Sequence, residues 1–293
     1  MRDALIRGRY SVGAEVGRGK FGVVYRGANE RTGEVVALKF EQVGGSGGTL
    51  RHEATVLAHL ARRGVEGAPG VRWFGPAVDP AAGAGAPASL CLVSTFFALS
   101  LDAHLDAASD RCAALCALMR SMICILQGIH AEFVVHRDVK PDNIRVHAGE
   151  PRLVDFGLAA VFVDGGGAHI PERARGGGAP IGTPTYMSPA VHLGAAPSRR
   201  DDLVSLGYVF MWCADGALPW KRAGVERGKA RGLELAALKA PAALAARGAR
   251  CDRVLEYLSE CTALAHAADP DYAGLDALFS SPLDTVKNKI DGN

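Results

Sequence analysis

The chain has 293 residues, 48% hydrophobic and 22% charged, enough to bury one two-lobed domain or two small ones. A formal net charge of +2 excludes a non-specific polyanion binder such as a DNA-wrapping protein, so no nucleic-acid partner is expected. The start, Met1-Arg2-Asp3-Ala4, has no apolar signal-peptide core, and no apolar run reads as long enough to span a membrane. The seven cysteines are scattered. Cys112 and Cys116 lie one helical turn apart but have neither a Cys-x-x-Cys partner nor a nearby His to complete a zinc set, which suits a reducing compartment.

In chain order, Tyr10 to Val16, Val23-Val24-Tyr25 and Val35 to Phe40 alternate apolar and polar residues and predict strands, with turn signals at Asn29 to Gly33 between the last two. Gly44 to Gly48 makes a flexible link. Leu50, Ala54, Leu57 and Leu60 recur at helical spacing. Asp79 to Ala88 is a low-complexity surface loop, and Leu90 to Phe97 a short apolar strand. Beyond it, helices are predicted over Leu101 to Ala108, Cys112 to Phe133, Arg200 to Ala214, Leu233 to Ala246 and Cys251 to His266. The change from sheet to helix near Ala98 places a lobe boundary there, and no internal repeat interrupts the pattern.

The chemistry concentrates in His136-Arg137-Asp138-Val139-Lys140-Pro141-Asp142-Asn143 and the Asp155-Phe156-Gly157 that follows. Phosphoryl transfer from ATP needs one carboxylate beside the attacking hydroxyl, and a second carboxylate with an amide oxygen to hold magnesium. Asp138 is the expected catalytic base, Lys140 the cation that neutralises the moving phosphoryl group, and Asn143 and Asp155 the hard-oxygen magnesium ligands. Upstream, Gly17, Gly19 and Gly22 lie between two strand-like segments, where glycine lets the backbone approach phosphate oxygens closely. A strand, not a helix, follows them, which excludes a Rossmann loop. Lys39 ends Val36-Ala37-Leu38-Lys39, where its amine can meet the α- and β-phosphates, and Glu53 on the next helix is placed to pair with it. Each residue alone reads as an ordinary polar group of a strand, helix or turn; it is the ordered set that points to catalysis. Lys140 two residues after the aspartate, with Thr183 in Gly182-Thr183-Pro184, favours transfer to Ser/Thr over Tyr.

With these motifs in place, the chain resembles the protein kinases and, within them, the casein kinase 1 group. The narrower resemblance rests on His169-Ile170-Pro171, His192-Leu193-Gly194, Ser198-Arg199-Arg200-Asp201-Asp202-Leu203 running into Ser205-Leu206-Gly207-Tyr208, Leu218-Pro219-Trp220, and Asp269-Pro270-Asp271-Tyr272 running on to Phe279. It covers Tyr10 to Phe279. Gly182 to Pro189 resembles the activation-segment end of other Ser/Thr groups, against which the Ser198 to Leu203 segment argues. The resemblance implies an α+β bilobal kinase fold over residues 10–280. A small antiparallel sheet with one main helix would fill about residues 1–95, a hinge about 94–98, and a larger, mostly helical lobe about 99–280, with a short tail at 281–293.

The resemblance further implies ATP and Mg2+ as cofactors, with Val24, Ala37, Thr95 and Phe97 joining the glycines, Lys39 and Glu53 in nucleotide binding. Ser94 aligns with the gatekeeper, where a larger apolar residue is usual, and its small side chain should open a back pocket. Protein substrates with Ser/Thr near acidic or phosphorylated residues are expected, held at a basic site to which Arg173 and either Lys229 or Arg231 would contribute. Arg137 would read a phosphate on the activation segment or make structural hydrogen bonds only, and Asp202 would support the catalytic-loop backbone or cap its helix. Ser188-Pro189-Ala190 lacks the glutamate that ends this segment in most kinases, so the ion pair it makes there cannot form. A monomer in the cytoplasm, with the nucleus as a further location, is expected. A scaffold of the same fold without turnover is the alternative, disfavoured because Lys39, Glu53, Asp138, Lys140, Asn143 and Asp155 are all present.

Overall fold

Period-two alternation in the N-terminal segments sorts side chains onto two faces of one sheet. A computed structural model describes residues 5–19, 22–43, 48–82, 89–172, 180–222, 231–246 and 252–281. They divide into two units, one of residues 1–98 with 154–157, the other of residues 99–153 and 158–293.

In the first unit, β1 (Tyr10–Gly19), β2 (Gly22–Asn29) and β3 (Val35–Gln42) are followed by helix α1 (Thr49–Arg62), β4 (Val71–Ala77) and β5 (Ser89–Thr95). The five strands form an antiparallel sheet in the order β1-β2-β3-β5-β4. Val23, Tyr25, Val36, Leu38, Phe40, Cys91 and Val93 pack together on one face. Directly opposed residues of antiparallel strands share a face. The pairs Val24↔Lys39, Arg26↔Ala37, Ala37↔Ser94 and Lys39↔Leu92 therefore put Val24, Ala37, Lys39 and Ser94 together on the other.

Helix α1 is tied to β3 at its start. Its first turn has backbone N–H groups with no partner inside the helix. Glu41 of β3 accepts from Leu50 N at 2.6 Å, Thr49 N at 3.2 Å and Thr49 Oγ1 at 3.0 Å, adding the charge that a helix N-terminus favours. Leu50, Ala54, Val56, Leu57 and Leu60 are buried, as the spacing predicts, and Glu53 is buried among them. Strand β4 is not foreseen by the sequence, because Gly75 and Pro76 interrupt its alternation.

The second unit contains β6 (Leu99–Ser100), α2 (Leu101–Ala107), α3 (Arg111–Ala131), β7 (Val134–Val135), β8 (Ile144–His147), β9 (Glu150–Leu153) and β10 (Ala160–Val161). Helices α4 (Pro189–His192), α5 (Arg199–Asp215), α6 (Pro219–Arg222), α7 (Arg231–Leu238), α8 (Pro241–Ala246), α9 (Asp252–Ala263) and α10 (Tyr272–Ala277) complete it. Ser100 and Asp110 cap α2 and α3 by accepting from Ala103 N and Ala113 N. The helix expected over Leu233 to Ala246 is in fact two, α7 and α8. It breaks before Pro241, whose ring disfavours helical backbone at the preceding residue. Helix α3 corrects the expectation that no segment is apolar enough to span a membrane. Its 21 residues meet that requirement by length and composition. They pack instead against α5, α10 and β9, with Leu115, Met119, Met122 and Leu126 fully buried, as in a core helix.

Helix α5 is buried on every side over Leu203 to Met211, and it fixes the centre of this unit. Phe279 stacks against Phe210 at 5.2 Å and Tyr257 at 5.7 Å between ring centres, bringing the end of the described chain onto α5 and α9. Gly207 is the closest approach: a Cβ there would lie 2.6 Å from Leu258 Cδ2 and 3.1 Å from Tyr257 Cε1. Gly207→Ala is therefore expected to overpack the α5–α9 contact and cost about 1–3 kcal/mol. Thermal unfolding would show this as a loss of several degrees, and an unchanged or raised Tm would contradict the packing.

Candidate active site

In β3, Lys39 emerges on the sheet face opposite Leu38 and Phe40, between two carboxylates. Its Nζ donates to Glu53 Oε2 at 2.7 Å and to Asp155 Oδ1 at 2.7 Å, all within the first unit. Burial alone would strip the proton from Lys39, but Glu53 and then Asp155 outweigh it and raise the pKa, so the ammonium persists. Burial pushes the Glu53 carboxyl up, Lys39 opposes that, and Asp155 adds to it. Asp155 holds a left-handed backbone, φ 66°, a conformation that non-glycine residues keep only when their surroundings enforce it.

Of the glycines, Gly22 (φ 131°) is demanded by the sheet, since a Cβ there would fall 1.9 Å from Phe40 O. Among the described residues nothing lies within 4 Å of where a Cβ would stand on Gly17 or Gly19, so packing against them does not account for these glycines, and a phosphate can approach there. Val24, Ala37 and Ser94 share the Lys39 face. Phe97 is buried. The Thr95 side chain is engaged in the fold, its hydroxyl lying 3.2 Å from Gly70 N and 3.3 Å from Gly70 O.

The second unit holds a separate cluster around Asp138. This carboxylate is buried and accepts from Lys140 Nζ at 2.7 Å and Thr183 Oγ1 at 2.6 Å. Lys140 also donates to Thr183 Oγ1 at 3.1 Å. Asn143 commits its amide nitrogen to Asp138, at 2.9 Å from the carbonyl and 3.3 Å from Oδ2, which leaves its Oδ1 as the atom able to act as a hard-oxygen donor. Gly182 (φ 110°) lets the chain approach this loop, because a Cβ would lie 2.5 Å from Arg137 O.

The loop itself hangs from α5. Asp202 accepts from the backbone N–H of His136 at 2.6 Å and of Arg137 at 2.8 Å, while His130 Nε2 lies 3.1 Å from the same carboxylate. Burial opposes ionisation of Asp202, but His130 and His136 outweigh it and keep the pKa below its ordinary value. Tyr272 Oη lies 2.6 Å from His130 Nδ1, so both ring nitrogens are engaged, Nε2 by the carboxylate and Nδ1 by the phenol. Helix capping falls instead to Asp201, whose Oδ2 accepts from Ser198 N at 2.7 Å. Arg137 sits in the left-handed region at φ 68°, and its guanidinium donates to the carbonyls of Leu158 and Ala159. Of the two readings of Arg137, the structure shows the backbone contacts.

Arg199 and Arg200 also have fixed partners: Arg199 bonds Asp269 and lies over the Phe162 ring, and Arg200 bonds Glu172 at 2.8 Å and Leu264 O at 3.0 Å. The Ser198 to Leu203 motif is thus a run of residues with internal bonding tasks. Arg173 and Lys229 lie outside the described residues, as does the side chain of Arg231, whose backbone opens α7. Lys239, in the turn just after α7, is a site residue that the sequence reading missed. Within Leu238-Lys239-Ala240-Pro241 nothing marks it as buried.

Comparison with known proteins now bears on these two clusters. Residues 10–241 match the protein kinase domain family. The chain belongs to the protein kinase family. Among curated proteins, this kinase domain is 32% identical over 296 residues to Casein kinase I homolog 1 of Schizosaccharomyces pombe. That alignment takes in 97% of the chain and 63% of the relative, so the chain spans a little under two thirds of that protein's length.

Removing the Lys39 cation gives a pH signature. In Lys39→Met, burial and Asp155 still raise the Glu53 pKa above its unfolded value, with only the backbone hydrogen bond from Phe156 left to oppose them. The folded variant then binds a proton that the unfolded chain releases, a contribution present at low pH and lost as pH rises through the raised value. The Tm deficit against wild type is expected to widen from about pH 5 to about pH 8. A deficit independent of pH would contradict the buried pair.

Proposed function

We propose that this chain is an ATP- and magnesium-dependent Ser/Thr protein kinase of the casein kinase 1 type, acting on hydroxyls near acidic or phosphorylated residues. The observation that carries the reading is the bonding of Asp138. A buried carboxylate already accepts the proton of one Ser/Thr-type hydroxyl, that of Thr183, and is flanked by the Lys140 ammonium.

The residues present fit the donor and the metal. Asp155 in the first unit offers a carboxylate oxygen and Asn143 in the second an amide oxygen, each a hard ligand of the kind magnesium takes alongside its waters. Lys39, kept charged by Glu53, is a point charge for phosphate oxygens, and Gly17 and Gly19 leave room beside the backbone. When bound, magnesium supplies charge neutralisation on the triphosphate.

The remaining work belongs to the chain. Asp138 orients the acceptor hydroxyl and takes up its proton as the oxygen bonds to the γ-phosphorus. The bond from that phosphorus to the bridging oxygen breaks, and its electron pair leaves with ADP. Lys140 offsets the charge that builds on the transferred group. The acidic or phosphorylated substrate preference rests on resemblance to casein kinase 1 through Arg173 with Lys229 or Arg231.

The test is labelled phosphate transfer from ATP and magnesium to paired peptides, one with an acidic or phosphoserine residue upstream of the target serine and one neutral. Faster transfer to the first peptide is expected. Asp138→Asn should lower kcat by about 10²–10⁴-fold, the usual contribution of a positioned base. Equal transfer to both peptides would remove the substrate preference. No transfer to either, with nucleotide still bound, would overturn the activity.

A further inference from the structure

Lys239 is fully buried, and no carboxylate among the described residues is bonded to it. Its Nζ lies 2.7 Å from Pro184 O, 2.8 Å from Met187 O and 3.0 Å from His192 Nε2. It also lies over two aromatic rings, 4.9 Å from the centre of Trp220 and 5.2 Å from that of Tyr208.

The Pro184 and Met187 carbonyls accept two N–H groups of the Lys239 amine. His192 Nε2 also lies 3.1 Å from Pro184 O, so this nitrogen is shared between that carbonyl and Lys239, and burial and then Lys239 lower its pKa to about 4. Burial pulls the Lys239 pKa well below its ordinary value, and the two ring faces are the kind of partner that favours its charged form.

These contacts all fall on one stretch. Lys239 takes the carbonyls of Pro184 and Met187, and Trp220 Nε1 donates to Thr185 O at 3.0 Å. Thr183, next along, is the residue bonded to Asp138 and Lys140. The segment from Thr183 to Met187 is therefore tied to the catalytic loop at one end and held by Lys239 along its length. This is the segment whose closing glutamate is absent, since Ala190 follows Ser188-Pro189. The fold brings α7 here by close backbone contact, a Cβ on Gly232 falling 2.8 Å from His192 O.

We propose that Lys239 is the positioning residue of this kinase. By holding the Pro184 and Met187 carbonyls from the turn after α7 it stands in for the missing glutamate, and so keeps Thr183 on Asp138 and the acceptor peptide in register. The inference rests on the kinase reading above. Its specific content is that the acceptor side of the reaction depends on Lys239 and the nucleotide side does not. Lys239, Pro184, Met187 and His192 are all in the second unit, whereas Lys39, Glu53 and Asp155 are in the first.

The experiment uses the full chain and compares wild type with Lys239→Met. It measures KM and kcat for a serine peptide, the affinity for ATP with magnesium, and the slow transfer of phosphate to water. Peptide kcat/KM is expected to fall on the order of 10²-fold, the effect of misplacing an acceptor by about 1 Å. ATP affinity and hydrolysis should stay within about twofold, a difference under about 0.5 kcal/mol. Should Lys239→Met fail to fold, His192→Leu and His192→Gln decide. The first removes the ring nitrogen that contacts both Lys239 and Pro184 O and should lose peptide transfer about tenfold, and the second supplies an amide able to partner both and should restore it. Peptide transfer at the wild-type level in these variants would overturn the role, as would parallel loss of peptide and nucleotide functions. A wild-type chain inert toward every peptide would overturn the kinase reading itself, and this role with it.

Discussion

Asp202 is the constraint on which the second unit's chemistry depends. A carboxylate at the buried start of α5 must be satisfied by hydrogen bonds, because an ion removed from water costs several kcal/mol if left alone. Its partners are the N–H groups of His136 and Arg137, with His130 behind them. To offer those two N–H groups together, the loop turns through a left-handed Arg137. Asp138 comes next, and its side chain is delivered to Lys140, Asn143 and Thr183. Strain at Arg137 is thus maintained by a buried acid on a helix that is itself packed on all sides.

Each unit solves the same problem of holding charge away from water. In the first, the answer is a cation between two acids: Lys39 with Glu53 and Asp155. Glu41 makes this possible at a distance, by anchoring α1 to the strand that carries Lys39. In the second, Asp138 faces the ammonium of Lys140, whereas Lys239 is held by carbonyls, an imidazole and ring faces. Carbonyls and rings are weaker partners than a carboxylate, but they are spread along the backbone. That is the form of contact which fixes a loop conformation.

Much of this was legible in the chain. Alternation in Val36 to Phe40 told which face Lys39 would take, and helical spacing around Glu53 placed it within reach. The Asp138 to Asn143 spacing is short enough that local backbone geometry alone brings the groups together. What could not be read depended on distant packing. Strand β4 has no clean alternation because Pro76 and Gly75 break it, and it pairs only because β5 offers an open edge. Helix α10 is a single short element stabilised by Leu275 and the Asp271 cap. Arg137 looked equally suited to a phosphate or to backbone carbonyls, since a guanidinium serves both. Lys239 was invisible for a simpler reason: a lysine near a helix end is ordinarily exposed, and only the fold shows two carbonyls, an imidazole and two rings around it.

Asp202 shapes the catalytic loop from within the second unit, apart from Lys39, Glu53 and Asp155 in the first. Asp202→Asn tests it most directly, because the amide keeps the volume but presents only one oxygen to the two backbone N–H groups. The measurement is single-turnover phosphate transfer alongside ATP affinity in the same preparation. Transfer is predicted to slow on the order of 10²-fold as Asp138 loses its register, with ATP affinity unchanged within about twofold. Transfer at the wild-type rate, or equal losses in transfer and ATP affinity, would contradict it.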